Sequence, residues 1–230
     1  MSEREEVLAR IRTALRGDRQ DPPTTDGPGG ADDPGGAGGA GGAAGPAYRT
    51  RGQLEREPLL ALLAERVADY RATVRRTAPA GLGAAITAAL AQRGARRLVV
   101  PPGLDLPALP ALPAGVAIVT DDGLSPHELD AFDGVITGAA VAVAETGTII
   151  LDSSPDQGRR AITLVPDYHL CIVHAAQVVE LVPEAIALLA PRAGRPLTWI
   201  SGPSATSDIE LKRVEGVHGP RTLEVILVGP

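Results

Sequence analysis

Apolar positions recur at helical spacing over 54–76, where Leu59, Leu63, Val67, Tyr70 and Val74 fall on one face. A second helix is predicted over 81–93, rich in Ala and stopped by Gly94. The period then changes. Short apolar or β-branched runs follow at Arg97–Pro101, Val116–Val119, Val135–Ile136, Ala140–Ala144, Thr148–Leu151, Ile162–Val165, Leu170–Val173, Leu197–Ile200 and Leu223–Val228. These runs read as short strands. Ser125-Pro126-His127-Glu128 has the composition of a helix start, and a further helix is predicted over 183–190. Strands interleaved with helices predict an α/β fold with a mainly parallel sheet flanked by helices. The tighter spacing over 140–173 predicts hairpins within that sheet.

The first 47 residues read differently. Residues 1–16 are predicted as a short helix, with Ser2 and Glu5 as a capping box and an apolar stripe of Val7, Leu8, Ile11 and Leu15. A helix that short is marginal alone, so it is expected to dock on its own domain or on a partner. Residues 17–47, rich in Gly, Pro, Ala and Asp, have the composition of a flexible linker. The remaining residues, 48–230, are expected to form the globular domain.

Composition narrows the function classes. Hydrophobic residues are 44% of the 230 but aromatics only 2%, so the core must be aliphatic. Few aromatics and a net charge of −6 without a long basic stripe argue against nucleic-acid binding. The charged start of the chain and the lack of a long apolar run point to a cytoplasmic protein with no membrane span. The single cysteine, Cys171, excludes an intrachain disulfide and a cluster held by four thiolates of one chain. Its setting, Leu170–Val173, is that of a core thiol rather than a nucleophile. His169 and His174 flank that run but make no credible zinc set, so no metal is expected. Walker, Gly-x-Gly-x-x-Gly and Gly-x-Ser-x-Gly signatures are absent from the sequence.

Three segments carry candidate chemistry. In Ala144-Glu145-Thr146-Gly147-Thr148, a carboxylate, a glycine and two hydroxyls stand between apolar runs. Two readings remain open for Glu145. Its apolar neighbours suit a carboxyl activated for acid–base or nucleophilic work, and the same residues suit a plain hairpin turn with the carboxylate in water. In Ser201–Glu210 a strand runs into a loop crowded with hydroxyls and an acid, where backbone N–H groups and side chains suit an anion; a helix cap at Ser204, Thr206 or Ser207 is the alternative. In Glu215–Pro220, glycines flank His218, which places an imidazole at the tip of a turn, either titrating in a site or simply solvated.

In their order and separation, Ala144–Thr148, Ser201–Glu210 and Gly216–Pro220 resemble the LUD-domain family of lactate-utilisation proteins, over roughly residues 54–229. The resemblance implies a fold of the glucosamine-phosphate isomerase, ribose-phosphate isomerase and CoA-transferase type. It implies a role in oxidising L-lactate to pyruvate beside two partner proteins that carry iron–sulfur clusters, with no cofactor in this chain. A small carboxylate or nucleotide-like ligand would then meet Thr146, Gly147, Thr148, Ser201, Gly202, Ser204, Thr206 and Asp208, with Glu145 and His218 as the titrating, catalytic pair. Ala205 stands where the family often carries a basic residue, which weakens a phosphate clamp there; Lys212 and Arg213 are the nearest cations along the chain. Glu145-Thr-Gly is also similar to the turn that carries the acyl-accepting carboxylate of CoA transferases. A stand-alone transferase or isomerase using Glu145, and a scaffold subunit without catalysis, are the competing readings.

Overall fold

The computed structural model describes residues 49–107, 112, 114–202 and 219–229. The predicted helix at 1–16 and the linker at 17–47 lie outside the described residues. So do Ser204, Thr206, Asp208 and His218.

In chain order the described elements are α1 (Arg56–Asp69), β1 (Thr73–Thr77), α2 (Leu82–Arg93), β2 (Arg97–Val100), β3 (Ala117–Thr120), α3 (Pro126–Leu129), β4 (Gly134–Thr137), β5 (Val141–Val143), β6 (Thr148–Leu151), β7 (Tyr168–His174), β8 (Val178–Val179), α4 (Val182–Leu189), β9 (Thr198–Ile200) and β10 (Thr222–Val228). Six strands form one parallel sheet in the order β1-β10-β7-β4-β2-β3. The architecture is therefore α/β around a mainly parallel sheet, as the interleaved pattern predicts.

Side chains alternate across that sheet. Cys171 and Val173 of β7, with Leu223, Val225 and Leu227 of β10, meet Leu59, Leu60, Leu63 and Val67 of α1. Leu170, Ile172, Ile226 and Val228 face the other way, onto Ile86, Ala89 and Leu90 of α2. Burial on both faces is why these strands read as unbroken apolar runs. Gly94 ends α2 in the left-handed conformation, φ +71°, and its N–H donates to the Leu90 carbonyl at 3.0 Å. Ser125 caps α3 with both bonds of a capping box.

The hairpin over 140–151 is not part of the parallel sheet. β5 and β6 pair antiparallel in a second sheet, of order β8-β5-β6-β9. β9 runs antiparallel to β6 at its edge, and β8 parallel to β5. This layer also buries both faces. Ala142, Ile149 and Leu151 join the α1 side of the core, while Val141, Val143 and Ile150 pack under Ala185 and Leu189 of α4.

Two element boundaries differ from the pattern. The helix predicted to 76 stops at Asp69, and Arg71 turns the chain at φ +65°. Val74 then lies in β1, whose β-branched residues pair with β10 in register Val74↔Val225. Ile162–Val165 is not a strand. Residues Arg160–Thr163 form a 3-10 turn in which the N–H groups of Leu164 and Val165 both donate to the Ala161 carbonyl. A local turn satisfies this backbone, and Pro166 follows where a strand would need an N–H.

Candidate functional site

The β5–β6 connection is a four-residue turn, Ala144–Gly147, closed by the Gly147 N–H donating to the Ala144 carbonyl at 3.3 Å. Gly147 takes φ +60°, and a Cβ there would stand 2.7 Å from the backbone carbonyl carbon of Arg66. The glycine thus lets the turn lie directly on the last turn of α1. Gly202, at φ +80°, does the same one residue beyond α1, where a Cβ would meet that of Tyr70 at 2.5 Å.

Antiparallel pairing of Ile149 with Ile200 carries Thr148 and Ser201 to the same end of the second sheet. Their hydroxyls lie 2.8 Å apart, and the Thr146 hydroxyl lies 2.8 Å from that of Thr148. The structure therefore brings Glu145, Thr146, Gly147, Thr148, Ser201 and Gly202 to one end of the second sheet, with Gly147 and Thr148 buried beneath the others. The Ser201 loop follows an edge strand of the antiparallel part of this second sheet. The rule that ligands sit beyond the carboxyl ends of parallel strands does not reach it.

Glu145 is a hairpin-turn residue with its side chain 52% exposed, so the apolar flanks do not enclose it. Its carboxylate pairs with Arg49 at 3.0 Å. The same guanidinium reaches Glu180 at 3.2 Å. Glu180 is the anchor of this group. Its side chain is 8% exposed and accepts from the backbone N–H groups of Gln53 at 2.6 Å and Leu54 at 2.8 Å. The Leu54 N–H foremost, with that of Gln53 and the Arg49 charge, holds the Glu180 carboxyl below the usual carboxylate range. The backbone carbonyl of Glu180 meanwhile accepts from the Glu145 N–H at 3.0 Å. Glu180 also lines a cavity of about 330 Å³ with Gly52, Leu54, Leu59 and Val178. Neither Arg49 nor Glu180 stands out in the sequence, because each belongs to an unremarkable local pattern.

A second polar group lies where the sheet changes direction. β2 leads to β3 on one side, whereas β4 leads through the second sheet to β7 on the other. In open α/β sheets, the crevice at such a point is a common ligand site. Here the 152–159 segment covers it. The N–H groups of Gly103 and Gly138 donate to the carbonyls of Pro155 and Asp156, at 3.0 and 2.9 Å. Arg159 binds Asp121 through two bonds, 2.7 and 2.8 Å, and holds its carboxyl below the usual range. Asp152 is fully buried; burial opposes its charge, but bonds from Ser154 and Arg192 outweigh that and lower its pKa. Burial instead pushes the Asp156 carboxyl up. The paired charges brace this segment across the strand ends.

Cys171 is fully buried, and burial pushes its thiol up to about 12. The buried His169 ring, pulled down by burial to about 4, is neutral near pH 7, with Nε2 2.8 Å from the Thr137 hydroxyl. Among the described residues no group of three His, Cys, Asp or Glu could hold a metal ion. No described helix is long and apolar enough to cross a membrane.

Comparison with known proteins places these features in a family. The model of the LUD domain matches residues 60–228. A protein of Deinococcus radiodurans named Lactate utilization protein C is 50% identical over 187 residues, which are 80% of this chain and 86% of that one. A Bacillus subtilis protein of the same name is 35% identical over 99 residues, 40% of this chain and 41% of that one. The crystal structure of a DUF162 family protein from Deinococcus radiodurans superposes with a TM-score of 0.65, at 45% identity, over 77% of this chain and all of that one. On this match in sequence and in architecture, the chain belongs to the LUD-domain family.

Proposed function

We propose that the chain is the component without iron–sulfur clusters in a cytoplasmic system that oxidises L-lactate to pyruvate, and that it binds a small anionic or nucleotide-like ligand. The observation that carries this reading is the half-identical relative named Lactate utilization protein C, matched over most of both chains. The half-buried hydroxyls of Thr146 and Ser201, joined through buried Thr148, support a ligand surface at the tip of the second sheet. In this reading Ser204, Thr206, Asp208 and His218 also act on the ligand, an assignment that rests on their motifs in the sequence. Electron transfer belongs to the partner proteins, since one buried thiol is not a cluster ligand set.

The test is reduction of an artificial electron acceptor, driven by L-lactate, in the iron–sulfur partner proteins with and without this chain. The reading expects activity only when the chain is present. Equal activity without it would overturn the reading.

A further inference from the structure

We propose that Arg49 receives the carboxylate of the ligand in exchange for that of Glu145, and that Glu180 positions Arg49. For the ligand class, a small 2-hydroxy or 2-oxo monocarboxylate, this rests on the proposed function above. The assignment of Arg49 rests on geometry.

The two carboxylates on Arg49 are not equivalent. Glu180 is nearly buried and holds three groups at once: the guanidinium and the N–H groups of Gln53 and Leu54. Moving it would strand those donors and free the strand of chain before α1. Gly52 confirms how closely that strand is pressed on, since a Cβ there would meet the Glu180 Cβ at 2.5 Å. Glu145 is half exposed, and the ion pair to Arg49 is the side-chain bond it makes. An exposed pair of this kind contributes little, so exchange is cheap.

The guanidinium is a planar fork with five donors, and it matches a carboxylate through two parallel bonds. It is itself 53% exposed, so an incoming acid can reach it from solvent. Such an acid takes the place of Glu145 on the guanidinium and leaves Glu180 where it is. The displaced Glu145 stays tethered beside the ligand, because its backbone N–H remains bonded to the Glu180 carbonyl.

Calorimetric titration of the purified full chain with pyruvate and with L-lactate tests this. Arg49→Gln is expected to weaken binding by about tenfold or more, and Arg49→Lys, which keeps charge but loses the fork, by less. Glu145→Gln removes the competitor and should tighten binding by up to about fivefold. Glu180→Gln should weaken binding, while Glu180→Ala with unchanged circular dichroism separates loss of position from loss of fold. The proposal is overturned if neither acid binds the wild type at millimolar concentration, if Arg49→Gln binds like wild type, or if Glu145→Gln binds more weakly. Lactate oxidation that needs a chain unable to bind either acid would sink this inference and spare the functional reading. Oxidation indifferent to the chain would sink the reading, and the titrations would still decide the role of Arg49.

Discussion

The hydroxyl of Thr148 lies 2.8 Å from that of Ser201, a residue 53 positions further along the chain. β9 is what joins them, since it brings the second motif back antiparallel to the strand that carries the first. Thr148 is 5% exposed and bonds to Thr146 as well. Thr148→Val keeps the shape of the side chain and removes the link. The expected loss is about 1–2 kcal/mol of stability, read as a lower urea midpoint at constant slope. An unchanged midpoint would mean that the hydroxyl chain carries no structural weight.

Gly147→Ala and Gly94→Ala form a matched pair. Both glycines have positive φ, but a Cβ at Gly94 meets nothing within 4 Å, whereas at Gly147 it strikes the Arg66 backbone. Gly94→Ala should cost about 1 kcal/mol for the backbone conformation alone. Gly147→Ala should cost at least about 2 kcal/mol, because α1 and the hairpin must also move apart. Equal losses in urea unfolding would show that the close approach to Arg66 is unimportant.

His169 makes stability depend on pH. In the unfolded chain its imidazole takes up a proton near pH 6.5, while in the folded chain burial delays this to about 4. Between those values the unfolded state holds more protons, so stability falls as pH drops through that window. The full effect of this one group is roughly 3 kcal/mol. Urea unfolding at pH 7.5 and 4.5 should differ by more in the wild type than in His169→Gln. A variant with the same pH slope would show that His169 is not responsible.

Cys171 should not react with a thiol reagent at pH 8 in the folded protein. It is fully buried and its thiol is pushed up to about 12, so thiolate and access are both lacking. One equivalent should react at once in denaturant. Fast labelling of the native chain would place the thiol in an accessible site after all.

Local chemistry was readable from the residues themselves. Gly94 as the end of α2, the capping box of Ser125 and the apolar runs of β6, β7 and β10 all follow from a few neighbouring residues. Val74 and Ile162 mislead for the same reason. A helical period runs through the first by chance, and the second is apolar because it is buried within a turn rather than in a strand.

Sequence alone determined the class of this fold and its aliphatic core, because hydrophobic period and turn preference act over a handful of residues. Tertiary structure alone decided that the 140–151 hairpin leaves the parallel sheet for a second one, since either layer would bury the same apolar strands. It also decided the surroundings of Glu145. Arg49 is 96 residues from Glu145 and 131 from Glu180 in the chain. No local preference encodes a contact across such a distance; the packing of α1 and the second sheet, driven by burial of their apolar faces, brings the charges together.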